Sequence, residues 1–135
     1  LSQKWMRTIC NEFYGIEGIH GYGYGQDEDQ GQLGAWYVMA SIGLFDAKGL
    51  TAPNPSFQIG SPLFDRVTIK LNLDYYKGSE FVIETEGNTT DSYYVQSISL
   101  NGKNRNSVQL PFSEVAKGGK LRIKLGDNPN KKINR

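Results

Sequence analysis

The sequence predicts an α+β chain, with a helical first part followed by a small antiparallel β-sandwich or sheet. Three observations carry that expectation. Apolar residues recur every three to four positions at the start and again after a glycine-rich stretch. From about Phe57 onward the period drops to two. Gly49, Pro53 and Pro55 punctuate the change between the two regimes.

In the first helical pattern Trp5, Ile9 and Phe13 recur four apart, flanked by Met6 and Cys10, with Lys4, Arg7, Asn11 and Glu12 turned the other way. The Trp5–Phe13 stripe is therefore expected to face the core. The pattern stops at Tyr14-Gly15, and glycines at 15, 18, 21, 23 and 25 mark a loop. A second pattern runs from about Gly31 to Gly43. Leu33, Trp36, Tyr37, Ala40 and Leu44 line one side, and Val38, Met39 and Ile42 make it apolar nearly all round. Such a helix is expected to be buried in a larger assembly.

The strands follow from alternation. Val67, Ile69 and Leu71 alternate with Thr68, Lys70 and Asn72, and a second run covers Phe81 to Glu84. A third spans Tyr93 to Leu100, and a fourth alternates Leu121, Ile123 and Leu125 with Arg122 and Lys124. Gly78, Gly87-Asn88, Asn101-Gly102 and Gly118-Gly119 are expected turns, Asn101-Gly102 being a strong hairpin signal. Pro111 to Val115 is expected to make one short helical turn. Two segments result: 1–47, helical with a loop, and 48–135, rich in strands.

Composition narrows the function. Fifteen basic and fourteen acidic residues give the 135-residue chain a net charge of +1, so nothing calls for nucleic acid or an anionic membrane. No apolar run approaches the roughly 20 residues of a membrane span, and no signal peptide is visible. The single cysteine, Cys10, rules out an internal disulfide and reads as a small buried hydrophobe. The chain opens on Leu1 within an amphipathic pattern, so it is expected to be a C-terminal piece of a longer protein.

The run Gly25 to Trp36 places Asp27, Glu28 and Asp29 between glycines, directly ahead of the second helical pattern. Tyr14, Tyr22 and Tyr24 precede it, and Trp36 and Tyr37 follow. Carboxylates beside aromatic faces suit a sugar cleft: the acids handle hydroxyls, protons or a hard cation, and the rings pack on the apolar faces of the sugar. The plain alternative is an acidic helix start, favoured by the helix dipole and its free N–H groups. An EF-hand is excluded, because its loop needs a third ligand where Gly31 stands and a glycine where Gln32 stands. The Gly-x-Gly-x-Gly at 21–25 is no nucleotide fingerprint, since no strand precedes it. His20, Tyr22 and Tyr24 stand as either substrate contacts or loop packing. Trp36 and Tyr37 read as core rather than as a sugar platform. Asn88-Thr89-Thr90 is a glycosylation sequon on an expected turn.

These residues resemble a family. Gly25 to Phe45 (GQDEDQGQLGAWYVMASIGLF), Phe57 to Asp65 (FQIGSPLFD) and Lys117 to Leu121 (KGGKL) are similar to the C-terminal signatures of glycoside hydrolase family 92, the calcium-dependent α-mannosidases. The resemblance covers nearly the whole chain. It implies an (α/α)6 barrel, to which this chain supplies the last helices, followed by the β region. It implies exo-hydrolysis of α-mannosides with inversion, helped by a bound Ca2+, on mannose-containing glycans. Carried onto this sequence, the aspartates that act as or support the general base are Asp27 and Asp29. His20, Tyr22, Tyr24 and Glu28 are candidate substrate contacts. The family's general acid is a glutamate from an earlier segment; Glu12 is not assigned that role, and no metal ligand is assigned in this chain. The resemblance further implies the upstream part of the same polypeptide as partner, no nucleic acid and no membrane insertion. A periplasmic, secreted or surface-anchored bacterial location is expected. The contrasting reading is a non-catalytic carbohydrate-binding or structural β-module.

Overall fold

In the computed structural model, residues 2–14, 31–46 and 51–133 are described. Two helices, α1 (Ser2–Glu12) and α2 (Gln32–Ile42), precede the strands β1 (Leu44–Phe45), β2 (Ser56–Ile59), β3 (Arg66–Lys70), β4 (Glu80–Glu86), β5 (Tyr94–Leu100), β6 (Lys103–Arg105) and β7 (Gln109–Pro111). A short helix α3 (Phe112–Ala116) and the last strand β8 (Gly119–Gly126) follow.

The strands form two sheets, ordered β1-β2-β7 and β3-β4-β8-β5-β6. They share one core. Leu44, Phe57, Ile59 and Leu110 come from the smaller sheet, and Phe81, Ile83, Ile98, Leu121 and Ile123 from the larger. The alternation expected from the sequence produces this directly: along β8, Leu121, Ile123 and Leu125 are buried while Arg122 and Lys124 are exposed. The Asn101-Gly102 hairpin joins β5 to β6 with Leu100 opposite Lys103, and the turn after Pro111 is helical as expected.

One pairing departs from the antiparallel expectation: β4 and β8 run parallel, with Ile83 opposite Leu121. The cause is topological. β4 and β5 follow one another in sequence but are not neighbours; β8 fills the place between them. β4 and β5 run in opposite directions, so β8, which pairs antiparallel with β5, lies parallel to β4.

The first helix also departs from expectation. Trp5 and Phe13 are 55% and 48% exposed, whereas Arg7 is only 5% exposed. The inward stripe is Gln3, Arg7, Cys10 and Tyr14, at the i, i+4, i+7, i+11 spacing of one helix face. Gln3 Oε1 accepts the Val95 N–H of β5 at 3.2 Å. The Arg7 guanidinium donates to the Pro62 carbonyl, to Asn88 Oδ1 at 2.9 Å and to the Thr89 carbonyl at 3.3 Å. Loop carbonyls that need donors thus outcompete the apolar stripe for the inner face. Along α2, Ala40 and Ser41 are buried within this chain and Val38 is 54% exposed.

Gly43 ends α2 in the left-handed conformation (φ 78°) and returns its N–H to the helix's last carbonyls. A Cβ there would lie 2.5 Å from Pro62 Cγ. The segment Gly60–Leu63 straps over this helix end, with Gly60 N–H on the Gly43 carbonyl at 2.8 Å and Leu63 N–H on that of Ser41 at 2.9 Å.

Candidate active site

Asp27, Glu28 and Asp29, with His20, Tyr22 and Tyr24, all lie in segment 15–30, outside the described residues. What the structure describes is the frame from which that segment leaves and to which it returns. It leaves at Tyr14, the end of the inward stripe of α1. It returns at Gly31, whose left-handed backbone (φ 82°) opens α2 and whose carbonyl accepts the Ala35 N–H at 2.9 Å.

The two ends are held by rings. Tyr14 stacks on Tyr37 with centroids 4.8 Å apart and planes 12° from parallel. It stacks also on Trp36, at 5.4 Å and 25°. Both distances fall in the range of offset aromatic pairs, each worth about 0.5–1.5 kcal/mol beyond burial. Trp36 and Tyr37 thus spend ring faces on Tyr14, which supports their reading as packing residues.

A second tie runs through Arg7. Its partner Asn88 donates to the Leu63 carbonyl at 3.0 Å and to Asp65 Oδ1 at 3.1 Å. The guanidinium, the Pro62–Asp65 segment and the Asn88–Thr89 turn therefore form one polar junction. Burial lowers the Arg7 pKa from its ordinary value, and its Nε finds no acceptor among the described residues. The amide of the sequon residue Asn88 is fully engaged here, so the sequon serves as a structural joint. Burial pushes the neighbouring Cys10 thiol up, which keeps it a protonated, inert hydrophobe.

Sequence reasoning missed Arg7, a charged residue that reads as solvent-facing. The signal that finds it is the spacing of Gln3, Arg7, Cys10 and Tyr14. No group of three or more His, Cys, Asp or Glu residues placed to hold a metal occurs among the described residues. An apolar cleft of about 390 Å3 lies between α2, the smaller sheet and α3, lined by Met39, Ile42, Phe57, Tyr76 and Phe112 among others. Its lining includes no carboxylate. No helix among the described residues is long and apolar enough to cross a membrane.

The sequence model of the glycosyl hydrolase family 92 catalytic domain matches residues 1–127. The chain belongs to glycosyl hydrolase family 92. It is thus part of a family of glycoside hydrolases, as the acidic and Ile-Gly-Ser-Pro-Leu-Phe-Asp motifs lead one to expect. Solved family 92 structures agree. The inverting mannosidase BT2199 of Bacteroides thetaiotaomicron is 31% identical, with a TM-score of 0.78 over 99% of this chain. The α-mannosidase BT3965 of the same species is 28% identical, with a TM-score of 0.82 over 98%, and has also been solved with mannoimidazole bound. The family 92 glycosyl hydrolase ccman5 is 27% identical, with a TM-score of 0.76 over 98% of the chain. The chain spans only 17% of the length of the two Bacteroides enzymes and 20% of ccman5. No curated protein matches it significantly.

In this family 92 chain the Ile59–Asp65 signature has a structural office. It caps α2 through Gly43, receives Arg7, and joins both helices to the strands. The Lys117–Leu121 signature is the glycine entry into β8. Gly119 (φ 131°) passes so close to Asn101 that a Cβ would lie 2.3 Å from its side chain, and Asn101 Oδ1 accepts the Lys120 N–H at 2.8 Å.

Proposed function

We propose that the chain is the C-terminal part of an exo-acting, inverting α-mannosidase and that it supplies the base, Asp27 and Asp29. The observation that carries this reading is the family match over residues 1–127, which includes the acidic run. In the proposed enzyme, segment 1–47 adds the last helices and the acidic loop to an (α/α)6 barrel, and 48–135 forms the β-rich region beside it. The exposed Trp5, Phe13 and Val38 then pack against the upstream part of the same polypeptide.

Inversion needs one carboxylate to deprotonate water on one face of the sugar and an acid to protonate the leaving oxygen on the other, roughly 6.5–9.5 Å away. Asp27 and Asp29, one residue apart, share the deprotonation, one holding the water while the other orients it. His20, Tyr22, Tyr24 and Glu28 contact the mannosyl unit. The general acid is a glutamate upstream, so the isolated chain is inactive. The Ca2+ that serves the reaction takes its ligands upstream as well; as a hard cation it binds oxygen ligands, sugar hydroxyls included. The substrates are mannose-containing glycans, met in the periplasm, at the cell surface or outside the cell.

The test is hydrolysis of a panel of α-mannobioses by the full-length polypeptide, with and without a chelator, reading the first-formed anomer by NMR. The reading expects chelator-sensitive release of β-mannose. Release of α-mannose removes the general-base role, and no hydrolysis of any mannoside favours a non-catalytic β-module.

A further inference from the structure

The Lys117–Leu121 signature has a surface side as well as a structural one. Beside it lies an open hollow of about 520 Å3, bordered by Lys77, Ser79, Glu80, Asn101, Lys117 and Lys120. Glycines make the hollow possible. A Cβ on Gly78 would lie 2.3 Å from the Lys117 carbonyl oxygen, and one on Gly118 would lie 2.7 Å from that of Glu80. The loop entering β4 and the turn entering β8 thus touch backbone to backbone, which brings Lys77 and Lys117 onto adjoining stretches of chain.

Charge around the hollow is out of balance. Its border holds three lysines and one acid, Glu80, which Lys70 already pairs at 2.7 Å. Lys117 reaches Glu114 at 3.2 Å, and Lys120 reaches Glu84 at 2.8 Å, a carboxylate that Arg66 and Arg122 also hold. Lys77 makes no ion pair among the described residues. Lys70, Lys77, Lys117, Lys120, Arg66 and Arg122 therefore stand against only Glu80, Glu84 and Glu114, in a chain whose net charge is +1. The ion pairs of Lys117 and Lys120 are solvent-exposed and hold those lysines weakly.

We propose that this hollow binds an oxyanion of the phosphate or sulfate class, held by the ammonium groups of Lys77, Lys117 and Lys120. The inference goes beyond the mannosidase reading and does not depend on it. Ammonium groups are point charges with rotatable donors, and several around one hollow match an anion whose charge is spread over several oxygens. The border carries no arginine fork of the kind that pairs a planar carboxylate. Neutral donors complete the set. Asn101 commits its Oδ1 to the Lys120 N–H at 2.8 Å, so its amide has only N–H donors left to offer. Ser79 adds a hydroxyl.

The experiment uses the full-length polypeptide and follows labelled inorganic phosphate and labelled inorganic sulfate by equilibrium dialysis at constant ionic strength. Retardation in gels holding dextran sulfate, against gels holding neutral dextran, reads the same group carried on a chain. The hollow variants are Lys77→Gln with Lys117→Gln, and Lys120→Gln alone. Lys131→Gln with Lys132→Gln removes as much charge from the tail and serves as control. The proposal expects saturable binding of at least one probe, weakened about 10-fold in the Lys77 and Lys117 pair. Lys120→Gln weakens it less, and the tail pair leaves it unchanged. Saturation by the free ions supports the site with a small anion as ligand. A response to dextran sulfate alone supports it with the group borne on a chain. Far-UV circular dichroism checks folding, and the single variants Lys77→Gln and Lys117→Gln carry the test if the pair fails to fold. The proposal is overturned by no saturable binding of any probe, or by binding that the hollow variants leave intact. Equal losses in the hollow and tail pairs overturn it too, because they report net charge and not a site.

Discussion

The strand-rich unit and the helical pair are held together by different physics. In the strand-rich unit, residues such as Phe81, Ile83, Leu121 and Ile123 are completely buried, and the two sheets share one apolar cluster. In the helical pair α2 sets Met39 and Ile42 against that same cluster, but the contacts of α1 and Tyr14 are largely polar or aromatic: Gln3 on β5, Arg7 on the Pro62–Asp65 segment and the Asn88 turn, Tyr14 on Trp36 and Tyr37. Its large apolar residues Trp5, Phe13 and Val38 stay exposed. Hydrophobic burial is the dominant stabilising term in folding. The contrast therefore marks the strand-rich unit as the anchor and α1 as a helix placed by specific bonds.

The comparison breaks most severely if the anchor is emptied. Leu121→Ala removes a fully buried side chain opposite Ile83 and Leu100 and should cost about 2–5 kcal/mol. Urea unfolding followed by far-UV circular dichroism measures it, and every transition should move together. A loss confined to the helices would contradict the anchor role of the strands.

Arg7→Met separates the two regions instead. It strips charge-assisted donors from the Pro62 and Thr89 carbonyls and from Asn88, at a cost of about 1.5–3 kcal/mol, partly offset by no longer burying a cation. Both tryptophans, Trp5 and Trp36, lie in the helical pair. Fluorescence should therefore report an earlier transition than circular dichroism of the strands. Coincident transitions would mean that the two regions unfold as one.

Gly43→Ala sharpens the same point at the joint. The left-handed backbone and the 2.5 Å approach to Pro62 predict a loss of about 1–3 kcal/mol, seen first in the tryptophan signal. The smallest effect is expected on the outer face of the larger sheet. There Lys120 and Arg122 hold the Glu84 carboxyl below the usual carboxylate range, Lys120 being the stronger influence. A depressed folded-state pKa contributes stability above the unfolded-state value. That contribution is lost as pH falls below about 4.3 and through the folded value. Glu84→Gln should flatten the acid limb of stability by losing this small contribution at neutral pH, and converge with the wild type once the carboxyl is protonated.

Much of the fold is legible in the residues, for identifiable reasons. Half-buried strands write their period of two into the sequence, so β3, β4, β5 and β8 are visible there. β1, β6 and β7, of two or three residues, are too short to show a period. The parallel β4–β8 pair is invisible because alternation is the same in either direction. The orientation of α1 misleads because apolar periodicity ranks Trp5 and Phe13 above Arg7, and the acceptors that draw Arg7 inward lie 55 and 81 residues away. For the proposed site, the acidic run and its flanking aromatics are legible in the residues. The ring contacts of Tyr14 with Trp36 and Tyr37 are not, since only the folded chain brings Tyr14 onto α2.

The central claim is that the acidic run carries the base. Its most direct test is kinetic: kcat and inhibitor affinity of Asp27→Asn and Asp29→Asn in the full-length polypeptide, on an α-mannoside that the wild type hydrolyses. The account predicts that at least one folded variant loses about 100- to 10,000-fold in kcat, the range for removing a general base, while still binding a mannose-like inhibitor. Two folded variants with wild-type kcat would contradict it and leave the acids as the solvated start of a helix.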